Sequence, residues 1–95
     1  MQPEYRIAQK MKKLIRSRGG WCVKIHGSPY QDKGTPDILA CYRGQFIAIE
    51  VKTPRGAPEP EQLVARKQIL RAGGKSIITH MVKEVKDVLD AIDEL

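Results

Sequence analysis

The chain has 95 residues, 41% of them hydrophobic, and a formal net charge of +6 at pH 7. That length suits one domain, residues 1–95, with a modest core. No apolar run is long enough to span a bilayer, and no apolar signal segment opens the chain, so an intracellular, non-secreted protein with no membrane partner is expected. The charge is unevenly spread. Residues 1–80 hold 15 Lys/Arg against 6 Asp/Glu, whereas residues 81–95 hold 2 against 5. A polyanion partner would meet the body of the chain and not its last segment. Basic charge by itself is equally compatible with a generic basic protein and is no evidence of catalysis. Cys22 and Cys41 lie far apart, with no Cys-x-x-Cys or Cys/His metal spacing. Two small buried thiols in a reducing compartment are expected, and no zinc site.

In chain order, Ile7, Ala8, Met11, Leu14 and Ile15 repeat at helical spacing behind Pro3, and Gly19-Gly20 stops the helix. Glu4 precedes Ile7 by three residues and Ala8 by four, so it continues the apolar stripe and its carboxylate is expected to face the sheet. The competing reading is a first-turn acid favoured by the helix dipole. The opposite side carries Arg6, Lys10, Lys12, Lys13, Arg16 and Arg18, either a solvated face or a ridge that contacts phosphates. Trp21 to His26 reads as a strand, with His26 a polar residue at its end. The polar loop 27–34 follows, in which Tyr30 can stack on a base or sugar and Lys33 can meet a phosphate. An ordinary connection explains that loop equally well.

Ile38 to Tyr42 and Phe46 to Ile49 are short apolar runs separated by Arg43-Gly44, which reads as a β-hairpin. With a two-residue turn Tyr42 pairs with Gln45, and counting outward sets Asp37 opposite Glu50, on one face. Side chains alternate along a strand, so Lys52 shares that face with Glu50. Two carboxylates on one face are natural ligands for a hard divalent cation such as Mg²⁺. A lysine beside such an ion can orient or deprotonate water, or neutralise charge on a phosphate, and these are the parts for metal-assisted phosphodiester hydrolysis. The competing reading is a cross-strand salt bridge at a sheet end. Against it, the strand from Phe46 to Val51 is apolar on both faces, as a central strand is, and ionisable groups at its end are costly unless paired or metal-bound.

Residues 53–60 form a Pro-rich turn. A helix from about Glu61 to just before Gly73 places Leu63, Ala65, Ile69 and Leu70 on one side, with Gln62 and Arg66 between them and inward. Gln62 is either drawn to the active end of the sheet or an ordinary first-turn residue. Lys67 and Arg71 are outward, suited to phosphates. Ser76 to Met81 reads as the last strand. Val85, Val88, Leu89 and Ile92 stripe a last helix, structural or part of a subunit interface. The order α-β-β-β-α-β-α, a hairpin beside a β-α-β unit, implies an α/β fold: a mixed β-sheet flanked by helices on both faces.

At Pro36-Asp37 and Glu50-Val51-Lys52 the chain resembles the PD-(D/E)xK nuclease superfamily, and more narrowly a stand-alone VRR-NUC domain. The narrower likeness is carried by Gly34-Thr35-Pro36-Asp37, Ile49-Glu50-Val51-Lys52, Pro54, and a helix that opens with Gln62 and ends at Gly73. Thr53 departs from the pattern, which commonly has Gly after the Lys. The resemblance implies a restriction-endonuclease-like core and a metal-dependent deoxyribonuclease. Asp37, Glu50 and the Val51 carbonyl would hold Mg²⁺ or Mn²⁺, Lys52 would serve the attacking water or the charged transition state, Glu4 would lie near the metal, and Gln62 would fix Lys52 or the scissile phosphate. Lys10, Tyr30, Lys33, Arg55, Arg66 and Lys67 are the expected nucleic-acid contacts. Small size and family analogy suggest a homodimer that cuts branched or structured DNA, a four-way junction first, flaps or structure-selective nicking next. A non-catalytic nucleic-acid-binding or assembly module on the same fold and an RNA-directed nuclease stand as rivals.

Overall fold

A computed structural model of the chain describes residues 3–95. The elements are α1 (Glu4–Ser17), β1 (Trp21–Lys24), β2 (Ile38–Tyr42), β3 (Gln45–Val51), α2 (Pro60–Arg71), β4 (Lys75–Thr79) and α3 (Val82–Asp93). The four strands form one sheet in the order β1-β2-β3-β4. The β1–β2 and β2–β3 pairs are antiparallel and the β3–β4 pair is parallel. This is the mixed sheet flanked by helices that the order of the elements implies.

The hairpin turn sets the register. Arg43 and Gly44 both take positive φ, 50° and 79°, as a two-residue turn matched to strand twist requires. Tyr42 therefore pairs with Gln45 and Ile38 with Ile49, and one step further out the same count sets Asp37, just before β2, opposite Glu50. On one face of the sheet, Ile38, Ala40, Tyr42, Ile47, Ile49 and Val51 join Ile7, Met11 and Ile15 of α1 and Val85, Leu89 and Ile92 of α3 in the main core. Alternation sends Asp37, Leu39, Cys41, Phe46, Ala48, Glu50 and Lys52 to the other face. There α2 lies over the β3–β4 side, where Ile69 and Phe46 both flank Gly74.

Coverage of this second face is partial, and two expectations change as a result. Cys41 is exposed, while Cys22, on the core face, is buried. Leu63 and Leu70 are exposed, and no residue of α2 is fully buried. Trp21 is 60% exposed. The physical reason is the same for these and for Trp21: α2 rests on the β3–β4 side, and among the described residues no helix lies over the β1–β2 side of that face. The first strand also ends early, at Lys24, leaving His26 exposed beyond it.

At the hairpin tip, Tyr42 Oη donates to Asp93 at 2.8 Å, Arg43 Nε lies 3.0 Å from the same carboxylate, and Arg18 pairs with Asp90 at 2.7 Å and with Asp93. The hydrogen bond from Tyr42, then that from Arg18, hold Asp93 below the usual carboxylate range. The acidic C-terminal segment thus neutralises cations of the chain itself, at the end of the sheet remote from Asp37.

Candidate active site

The site forms where β2 begins and β3 ends. Asp37 is tied down on both sides by backbone. Its carbonyl accepts from Ile25 N at 2.7 Å, and its Oδ2 accepts from Val51 N at 2.8 Å. Its other carboxylate oxygen, Oδ1, stands 3.7 Å from Lys24 Nζ. Glu50 lies on the adjacent strand with only 7% of its surface exposed, and its Oε2 is buried with no hydrogen-bond partner. Burial first, then the charge of Asp37 and a hydrogen bond to it, push the Glu50 carboxyl up to about 8 against the opposing pull of Lys52 and Lys24. Lys52 follows on the same face as Glu50, half-buried, with its backbone N–H donating to Thr79 O at 3.0 Å.

These residues fit a hard divalent cation. A buried carboxylate oxygen without a partner beside a second carboxylate is costly unless a cation sits between them. Asp37 and Glu50 supply the oxygens. A strand residue directs its N–H and C=O to the same edge, so Val51, whose N–H meets Asp37, turns its carbonyl there too. Among the described residues no group of three or more His, Cys, Asp or Glu side chains is placed to hold a metal. The donor set is therefore two carboxylates and a carbonyl, which leaves room for the waters Mg²⁺ usually retains.

Asp37, Glu50, Val51 and Lys52 are brought together. Glu4 is not. It is exposed in the first turn of α1, and the reading that it faces the sheet is corrected: the first residue of α1 to be buried is Ile7, so packing of the helix begins only after its opening turn. Gln62 takes the first-turn role. Its Oε1 accepts from Glu59 N at 2.8 Å, one half of a capping box that closes the start of α2. Arg66 is half-buried, whereas Lys10, Tyr30, Lys33, Arg55 and Lys67 are exposed. Sequence reasoning missed Lys24. Its signal was present: β1 alternates, with Cys22 and Lys24 on the core face, and a lysine there needs an acidic partner at the strand end. No helix among the described residues is long and apolar enough to cross a membrane.

Comparison with known proteins places this geometry. A solved structure described as a VRR_NUC domain superposes with a TM-score of 0.75 at 26% identity, covering 92% of this chain and 94% of that one. The 1.6 Å structure of Archaeoglobus fulgidus Hjc, a Holliday junction resolvase from an archaeal hyperthermophile, shares the fold, with a TM-score of 0.60 at 18% identity over 78% of this chain and 64% of that one. No curated protein sequence matches. Residues 6–89 match the profile of the archaeal Holliday junction resolvase family, Hjc, a span that includes both strands of the site. By that match the chain belongs to the archaeal Holliday junction resolvase family, on a VRR-NUC, restriction-endonuclease-like fold.

Proposed function

We propose that residues 1–95 act as one metal-dependent structure-selective DNA endonuclease whose preferred substrate is the four-way junction. The observation that carries this reading is the unpartnered, buried Glu50 Oε2 beside Asp37. Asp37, Glu50 and the Val51 carbonyl would hold Mg²⁺ or Mn²⁺, and the bound ion would supply activation of water and neutralisation of phosphate charge. Asp37 is preoriented for that task by Val51 N–H. Lys52 presents an ammonium at the same face, suited to orienting the nucleophile and stabilising charge on the scissile phosphate. Lys24 steadies Asp37. Glu4 stands one helical turn before Ala8, which lines a cleft shared with Lys24, so it is assigned the outer edge of the site. Tyr30, Lys33, Arg55 and Lys67 are exposed cationic or aromatic side chains suited to the DNA backbone or a splayed base. Arg66, half-buried on α2, is assigned the nearer phosphates.

A second copy of the chain would bring a second site, and the two sites of the homodimer would give paired cuts across a junction. The uncovered sheet face and α2 support a homodimer: Leu63, Val64 and Leu70 are exposed on a helix with no fully buried residue.

The test is incubation of the purified protein with labelled four-way junction, flap, linear duplex and single-stranded DNA, and an RNA duplex, in Mg²⁺, Mn²⁺ or EDTA. Junction cleavage that needs metal is expected. Lys52→Ala and Asp37→Ala should each lower it by roughly 10²–10⁴-fold, the scale of losing transition-state charge stabilisation. Near-normal cleavage by Asp37→Ala sinks the metal assignment. Tight binding without cleavage under any condition favours a binding module.

A further inference from the structure

Outside the site, positive charge gathers on α1. Its 14 residues carry Arg6, Lys10, Lys12, Lys13 and Arg16 against the single acid Glu4. None of these cations forms an ion pair among the described residues. Elsewhere the chain pairs its cations: Lys83 with Asp87 at 3.0 Å, Lys86 with Asp90 at 2.7 Å, and Arg18 with Asp90 and Asp93. The contrast decides between the two readings of this face. Like charges three and four residues apart weaken a helix, and Arg6, Lys10 and Lys13 stand at that spacing with Lys12 and Arg16 beside them. A merely solvated face would gain from an interspersed acid, as α3 does, and this one has none between Tyr5 and Ser17.

The ridge also opens on the site. A cleft of about 340 Å³ is lined by Tyr5, Gln9 and Lys12 of α1 and by Lys24 and His26 at the end of β1. Lys24 is the residue that reaches Asp37. A neighbouring hollow lined by Arg6, Lys10 and Lys13 shares Tyr5 and Gln9 with this cleft, so the ridge adjoins the cleft that holds Lys24. At about 1.5 Å per residue, α1 is roughly 20 Å long, the length of about six base pairs.

We propose that the exposed face of α1, with Arg6, Lys10 and Lys13 as its central stripe, is the cradle for the sugar-phosphate backbone of a duplex arm that flanks the cut. This deepens the nuclease reading and rests on it for the identity of the polyanion as DNA. The contacts are to phosphates, so the arm is held without regard to sequence, and its orientation relative to Asp37 selects where the strand is cut.

The test measures junction binding by fluorescence anisotropy in EDTA, so that cleavage plays no part, across roughly 50–200 mM salt. Arg6→Gln/Lys10→Gln/Lys13→Gln is compared with Lys75→Gln/Lys83→Gln/Lys86→Gln, which removes the same charge elsewhere. Each phosphate contact contributes about 0.9 to the slope of log affinity against log salt, so the ridge variant should lose about 2.7 and the control less than 1. Arg6→Lys/Lys10→Arg/Lys13→Arg should restore the slope, which a folding defect would not allow. Neutral methylphosphonates within about six base pairs of the branch should remove the ridge variant's disadvantage. Equal slope losses in ridge and control variants, or none in either, overturn the proposal, as does a loss confined to anionic lipid vesicles. Because binding is read without metal, a protein that binds through the ridge yet cleaves nothing in the separate Mg²⁺ and Mn²⁺ assays overturns the nuclease reading alone.

Discussion

Glu50 is where burial and charge oppose each other most directly. Its carboxyl is raised from 4.5 to about 8 by burial and by Asp37. A carboxyl that titrates higher in the folded state binds more protons there than in the unfolded chain between those two values. Stability of the metal-free protein should therefore fall as pH rises from about 4.5 to about 8 and level off beyond it. Thermal melts in EDTA across that range measure the slope, and Glu50→Gln should flatten it. Relieving a buried unsatisfied acceptor contributes about 1–3 kcal/mol, so Glu50→Gln should melt roughly 5–20 °C higher than the parent at pH 8 in EDTA. Added Mg²⁺ or Mn²⁺ should raise the parent's Tm and leave the variant's unmoved. A variant no more stable than its parent in EDTA would mean that Glu50 is not held against its solvation preference.

The loop from Ile25 to Asp37 shows how an element without regular structure is held in place. Its ends are pinned by Ile25 N–H on Asp37 O, and its far side by Gly34. Gly34 has φ +87°, and a Cβ there would run into the carbonyl of Glu61 in the first turn of α2. The same turn is closed by Glu59 and Gln62. The Gly of the Gly-Thr-Pro-Asp stretch thus serves a close approach between two elements that flank the site, which no periodicity reveals. Gly34→Ala combines a left-handed backbone with a collision against backbone, and should cost about 2 kcal/mol or more. Urea unfolding reads that cost, and limited proteolysis should show faster cutting within 27–33. Unchanged proteolysis would show that the loop is held by something other than this packing.

At the scale of the molecule, the sheet has one face sealed by α1 and α3 and one face half open. In register, Trp21, Cys41 and Phe46 form a row across β1, β2 and β3 on the open side, and Leu63, Val64 and Leu70 are exposed on α2. In a chain with five aromatic Phe, Trp and Tyr residues, a row with the only Trp and the only Phe on solvent is a surface built to be covered. If a second copy covers it, Leu63→Glu/Leu70→Glu should convert a dimer to a monomer by light scattering, and Cys41 should react with maleimide faster in that variant than in the parent. Cys22 provides the internal reference, since burial pushes its thiol up and keeps it unreactive until the chain unfolds. A parent that is already monomeric with junction DNA bound would remove the dimer.

Much of this was legible in the chain itself. The two-residue turn, the alternation of the flanking strands and the apolar spacing of α1 and α3 are local properties, and they bring Asp37 opposite Glu50 and Lys52 onto the same face without reference to the rest of the fold. Helical spacing likewise placed Ile7, Met11, Ile15, Val85, Leu89 and Ile92 in the core. What the tertiary structure alone decided depends on where elements end and what lies over them. Glu4 follows the apolar stripe of α1 yet is exposed, since packing of that helix begins only at Ile7. Cys41 and Leu70 are as apolar as their buried neighbours and are nonetheless on the surface, because α2 lies over the β3–β4 side of that face. Lys24 reaches Asp37 only because β1 pairs with β2. Periodicity states which face a side chain takes, and only packing in three dimensions determines whether another element occupies that face.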